Sequence, residues 1–120
     1  MNMDLSTVRI KDLKLRTYIG IFDWEQKEKQ DVIINLTIDF DASRAAQSDQ
    51  IEDTVDYKKI CKGIIGLVEE GRFMLIEKMA NDILHQVMQD QRIQKAHIEI
   101  DKPGALRFAR SVSFAATHTR

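Results

Sequence analysis

Residues 8–22 read VRIKDLKLRTYIGIF, and their alternation decides the fold. Val8 and Ile10 fall on one side of an extended chain; after a slip near Asp12, Leu13, Leu15, Thr17, Ile19 and Ile21 share one side. A period of two marks a β-strand, and a phase slip that keeps the apolar face together marks a bulge. The opposite face carries Arg9, Lys11, Lys14, Arg16 and Tyr18. Beyond a polar connection from Asp23 to Lys29, Val32, Ile34, Leu36, Ile38 and Phe40 repeat the pattern, with Ile33, Asn35, Thr37 and Asp39 on the reverse. Two such runs joined by several residues predict an antiparallel hairpin.

Downstream the period changes. After a polar stretch from Asp41 to Asp53, Thr54 or Asp56 can cap a helix that carries Ile60, Ile64, Leu67 and Val68 and stops at Gly71. A second helix starts near Met74 or Leu75 and runs to about Gln89, with Ile76, Met79, Ala80, Ile83, Leu84 and Val87 as its apolar stripe. Period two then returns: Ala96, Ile98 and Ile100 alternate with His97, Glu99 and Asp101 up to the turn Lys102-Pro103-Gly104. The last strand carries Phe108, Val112, Phe114 and Ala116 against Ser111, Ser113 and Thr117. The order β-β-α-α-β-β predicts an α+β domain over residues 1–120, core about 8–118, with a four-stranded antiparallel sheet and both helices on its apolar face. The other face is polar enough to meet water, and the two sheet edges are open. Either short, twisted edges protect a monomer, or several copies join edge to edge into a barrel with a wet lumen.

Eighteen basic and 19 acidic residues, net charge −1, argue against broad phosphate neutralisation, so no nucleic-acid partner is expected. The basic residues are unevenly spread: Arg9, Lys11, Lys14 and Arg16 crowd one segment, and Lys102, Arg107 and Arg110 another. Clusters of this kind are ordinarily solvated faces. No apolar run approaches the roughly 18 residues of a membrane span, and MNMDLSTVRIK lacks a signal peptide's apolar core, so neither membrane insertion nor secretion is expected. A lone Cys61 on the apolar side of the first helix reads as a small core residue in a reducing, cytoplasmic setting. The Asn35-Leu36-Thr37 sequon is then accidental.

Familiar site signatures are missing from the sequence: there is no phosphate-cradling Gly-rich loop, His-Glu-x-x-His or Cys-x-x-Cys. His85, His97 and His118 fall on different elements, so no metal site is expected. What remains is a scatter of polar residues at loops and element ends, where sites are commonly built. Glu25 adjoins the only Trp, Tyr57 opens the first helix, Glu77 lies in the first turns of the second, and Lys102 closes a strand. Singly, each has a structural explanation: a helix dipole, a core edge, a solvated charge.

Together they are recognisable. Ile19-Gly20-Ile21-Phe22-Asp23-Trp24-Glu25-Gln26, Asp56-Tyr57, Arg72-Phe73-Met74-Leu75-Ile76-Glu77-Lys78 and Asp101-Lys102-Pro103-Gly104-Ala105 resemble the dihydroneopterin aldolase family in order and spacing. The resemblance implies the tunnelling fold, in which four subunits close a β-barrel and two rings stack as an octamer. Two activities occur in that family. Leu13 to Ile21 and Ala105 to Ser113 are similar to the 2′-epimerases of dihydroneopterin triphosphate; Asp23-Trp24-Glu25-Gln26 and Lys102-Pro103-Gly104-Ala105 are similar to the aldolases. The longer matches favour 2′-epimerisation, with aldol cleavage of 7,8-dihydroneopterin as the alternative and a noncatalytic pterin-binding oligomer as a third.

Both activities remove the proton of the substrate's 2′-hydroxyl while the C1′–C2′ bond breaks and its electrons enter the reduced pterin ring. No metal, pyridoxal or other cofactor is implied. By resemblance Lys102 is the central acid/base group, Tyr57 relays a proton, and Glu25 orients the diol or Lys102. A free Lys, with a pKa of about 10.4, is a poor base near neutrality, so burial or nearby cations are expected to lower it. Glu77, with Leu75 and Ile76 beside it, is implied to bind the pterin, its carboxylate matching the parallel N3 and 2-amino donors. Family sites lie between subunits, so Tyr57 and Lys102 need not come from the same chain as Glu77. Arg9, Lys11, Lys14, Arg16, Arg107 and Arg110 are candidates for gripping a triphosphate tail.

Overall fold

The computed structural model describes residues 4–120. Its elements are β1 (Ser6–Ile19), α1 (Asp23–Lys27), β2 (Gln30–Phe40), α2 (Ser43–Ser48), a 3₁₀ turn (Ile51–Asp53), α3 (Tyr57–Glu69), β3 (Arg72–Phe73), α4 (Ile76–Val87), β4 (Ile93–Pro103) and β5 (Ser111–Thr119). The long elements follow the predicted order. The sheet, however, is five-stranded and mixed, in the order β3-β1-β2-β4-β5. Two-residue β3 runs parallel to β1, pairing Tyr18 with Arg72 and Ile19 with Phe73, and is too short to show any period. The polar connections were expected to be irregular, yet they hold α1, α2 and the 3₁₀ turn.

The predicted phase slip is real. The β1–β2 register shifts between Ile10 and Leu13, and Asp12 takes a left-handed φ of 53°. Asn35 steadies the bulge by accepting from the Asp12 N–H at 2.9 Å and donating to its carboxylate at 3.3 Å. The inward row of β2 is buried throughout, with Val32, Ile34, Leu36, Ile38 and Phe40 at most 4% exposed. Ile98 and Ile100 of β4 continue it, and Ile64 and Val68 of α3 and Met79, Ile83 and Leu84 of α4 close the core. Burial of this apolar layer, at about 25 cal/mol per Å², is the main stabilising term.

Helix boundaries follow local chemistry. Asp56, not Thr54, caps α3, accepting from the N–H groups of Lys58 and Lys59 at 3.1 Å each. The far end of α3 is tied to the sheet: the buried Thr17 hydroxyl donates to the Val68 carbonyl at 2.6 Å. Three expected inward residues are not inside. Ile21 and Phe108 lie outside the strands, 60% and 100% exposed, and Cys61 is half-buried on the flank of α3. Phe108 breaks from the strand because its φ is +70°, a turn conformation.

Candidate active site

One end of the sheet changes character while keeping its period. The inward rows run Leu13, Leu15, then Thr17 on β1; Ile34, Val32, then Gln30 on β2; Ile98, Ile100, then Lys102 on β4. Polar side chains thus gather at the edge of the core, on the helix side of the sheet. Lys102 Nζ meets Glu25 Oε2 at 2.5 Å, and only 14% and 7% of the two side chains are exposed. Among the described residues no other ion pair has both partners so enclosed.

Glu25 reaches this position because the chain turns at Gly20 and α1 starts three residues later, at Asp23. Gly20 has a φ of +139°, and a Cβ on it would lie 2.1 Å from Glu25 Cδ, so the carboxylate occupies the space a side chain would take. The Gly20 N–H donates to the Phe73 carbonyl at 2.9 Å, extending the β1–β3 pairing. The Phe22 N–H donates to Glu25 Oε1 at 3.3 Å, and Gln30 Nε2 donates to Oε2 at 3.2 Å. Burial pushes the Glu25 carboxyl up, but the bonds from Lys102, Gln30 and Phe22 and the lysine's charge outweigh it. The net effect holds Glu25 below the ordinary glutamate value.

Lys102 is therefore enclosed as expected, but the charged group against it is a carboxylate rather than a cation. An ammonium fixed on a carboxylate presents a proton donor and an acceptor within one hydrogen bond of each other, a unit suited to moving a proton on and off a hydroxyl.

The other expected residues divide. Phe73 pairs with Ile19, so the chain from β3 into α4 brings Leu75, Ile76 and Glu77 alongside the Gly20 corner. Leu75 flanks the start of α4 and Glu77 lies exposed in its first turn. Tyr57, half exposed, sits at the opposite end of α3. Since α3 is tied to Thr17 at Val68, Tyr57 is about 17 Å from that tie along the helix axis. One chain thus joins Glu25 to Lys102, ties the strand that leads into the Glu77 segment to the neighbouring Gly20, and sets Tyr57 at the far end of α3. A hollow of about 880 Å³ lies at the Tyr57 end, between the start of α3 and the end of α4, and is lined by none of these four residues.

Gln30 is a polar neighbour of the pair that lies outside the recognisable segments. Its signal is visible in the pattern: it occupies an inward position of β2 where the period calls for an apolar residue. The basic clusters are partly spent on structure, as Lys14 and Arg16 both pair with Asp31 at 3.5 and 2.9 Å. Arg107 stacks over Phe108 in the exposed β4–β5 loop.

Comparison with known proteins places these features in context. A model of the dihydroneopterin aldolase (FolB) family matches residues 8–117. The chain is 50% identical over 109 residues to a dihydroneopterin triphosphate 2′-epimerase of Pseudomonas aeruginosa, covering 91% of this chain and 89% of that one. It is 41% identical over 120 residues, all of both chains, to the Escherichia coli K12 enzyme of the same name. The crystal structure of E. coli dihydroneopterin aldolase in complex with neopterin superimposes with a TM-score of 0.90 at 29% identity, covering 94% of this chain and 98% of that one.

Proposed function

This chain belongs to the dihydroneopterin aldolase family, and from that premise we propose that it inverts C2′ of 7,8-dihydroneopterin triphosphate by a retro-aldol and aldol sequence. The observation that carries the reading is the enclosed Glu25–Lys102 pair, in the two segments that bear the family resemblance. The higher identity to the epimerases than to the aldolase of known structure selects the branch.

In this reading the pterin binds against Glu77, whose two oxygens accept from N3–H and the 2-amino group, with Leu75 and Ile76 beside it. The Glu25–Lys102 unit takes the 2′-hydroxyl proton, directly or through a water. C1′–C2′ breaks, its electron pair enters the dihydropterin ring, and glycolaldehyde triphosphate is held in place. The aldehyde presents its other face, C1′ attacks, and the proton returns to the new 2′-oxygen. Atoms balance without a cofactor, because the ring accepts and returns the electrons. Tyr57 relays a proton from a neighbouring copy, which accounts for its separation from Lys102 within one chain. The working form is then a cytoplasmic ring of four chains, two rings forming an octamer, with each site at a seam. Arg107 and Arg110, in the loop after Lys102, are candidates for the triphosphate.

The aldolase reading rests on Asp23-Trp24-Glu25-Gln26 and Lys102-Pro103-Gly104-Ala105, and it shares every step up to cleavage. It differs in releasing glycolaldehyde after protonation of the ring-bound carbon. Supplying the purified protein with dihydroneopterin triphosphate and, separately, dihydroneopterin, then resolving neopterin from monapterin stereoisomers, decides between them. Binding of both without turnover of either would leave the noncatalytic oligomer.

A further inference from the structure

The Gln30 amide stands between the catalytic pair and the end of β1. Its Nε2 donates to the Ile19 carbonyl at 2.7 Å and to Glu25 Oε2 at 3.2 Å. Both neighbours are acceptors only, so the nitrogen must face them, and both amide hydrogens are used. The backbone of Gln30 is itself fixed, paired with buried Thr17 at the start of β2. Glu25 Oε2 therefore accepts from two donors, one rigid (Gln30) and one at the tip of a long flexible stem (Lys102). Oε1 is held by the Phe22 N–H. Remove the amide and the carboxylate keeps its bonds to Lys102 and the Phe22 N–H but loses its tie to the end of β1, so Oε2 is left held by the flexible lysine stem alone.

We propose that Gln30 is a positioning residue for the reaction, fixing the Glu25 carboxylate, and through it the Lys102 ammonium, at the end of β1. The proposal rests on the reading that Glu25 and Lys102 move the substrate proton. Groups that orient acid/base residues without touching substrate commonly carry 10- to 100-fold in activity, as the partners of metal ligands do. Gln30 also joins two strand ends, so a purely architectural role is the competing explanation, and the test must separate them.

Gln30→Met keeps the length of the side chain and removes both donors. In the full-length protein the expected result is a fall in kcat for 2′-inversion of about 10- to 100-fold with KM little changed. In the substrate-free protein, ¹³C NMR of the Glu25 carboxyl should show its titration midpoint rising. Lys102 is the one charged group hydrogen-bonded to that carboxyl among the described residues, so the rise has no other charged bond partner to account for it. A folded Gln30→Met protein with native kcat and an unmoved Glu25 titration overturns the proposal. So does a lowered Tm with both of those unchanged, which is the architectural outcome. Should Gln30→Met fail to fold, Gln30→Asn, one methylene too short to span both acceptors, carries the same expectations. The native protein, assayed on both substrates in parallel, is the control for the underlying reading: if it turns over neither, the proton-transfer role of the pair falls first, whatever the titration of the variant.

Discussion

At position 20 a hydrogen stands where any other residue would place a carbon, and the Glu25 carboxylate fills that space. Gly20→Ala should therefore do two things: force a non-glycine residue into φ +139°, a strain of about 1–3 kcal/mol, and push Glu25 off Lys102. Chemical denaturation should show the first and a loss of turnover the second; an active, undestabilised Gly20→Ala protein would contradict the geometry. Lys102→Met should abolish turnover with pterin binding retained. By leaving the Glu25 carboxylate enclosed and unpaired it should also cost about 3 kcal/mol near neutral pH. Because Glu25 titrates below its unfolded value in the native state, its contribution to stability is present above the ordinary glutamate range, around 4.3, and is lost as pH falls through the lower folded value. Glu25→Gln should accordingly flatten the stability profile across and below that range, as read by denaturant midpoints at stepped pH. Glu25 and Lys102 were legible in the sequence because they sit inside segments of fixed spacing. The inward position of Gln30 was legible too, but its role was not, since a period-two reading records which way a side chain points and not what it bonds.

Among elements, the long strands and the two main helices were legible because each repeats its period several times. The bulge was legible too, since a slip that preserves the apolar face leaves a trace in the alternation. Element β3 was hidden for the opposite reason: two residues carry no period, and its existence depends on the Gly20 and Phe73 backbones meeting across about 50 residues of chain. Element α1 was hidden by its polarity, having only one buried side chain, and that one is charged. The cap of α3 makes a prediction of its own. Asp56→Ala removes the acceptor for two N–H groups and should lower stability by about 1 kcal/mol. Since Tyr57 is the first residue after the cap, fraying there should also reduce turnover more than it reduces pterin binding. Equal stability of Asp56→Ala and the native chain in a denaturant titration would show that the cap is replaced by water.

As a whole, the chain is extended for its size. Its radius of gyration is 15.9 Å, against about 14 Å for a typical globular domain of this length, and its extents are 51 × 25 × 20 Å. Ile21, Phe22, Trp24, Met74 and Leu75, each more than half exposed, surround the Gly20 corner. A monomer seldom leaves so much apolar surface beside its own site, and a neighbouring copy bringing Tyr57 would cover it. If so, a Tyr57→Ala protein and a Lys102→Ala protein, each inactive alone, should regain activity when unfolded together and reassembled, with roughly a quarter of the seams intact under random pairing. No recovery in assemblies shown to be mixed would place all four side chains in one chain. No helix among the described residues is long and apolar enough to cross a membrane. The stereochemistry at C2′ after the native protein meets dihydroneopterin triphosphate tests the proposed inversion most directly. Conversion to the monapterin epimer with the triphosphate chain intact is expected; unchanged triphosphate, with glycolaldehyde accumulating from dihydroneopterin instead, would overturn it.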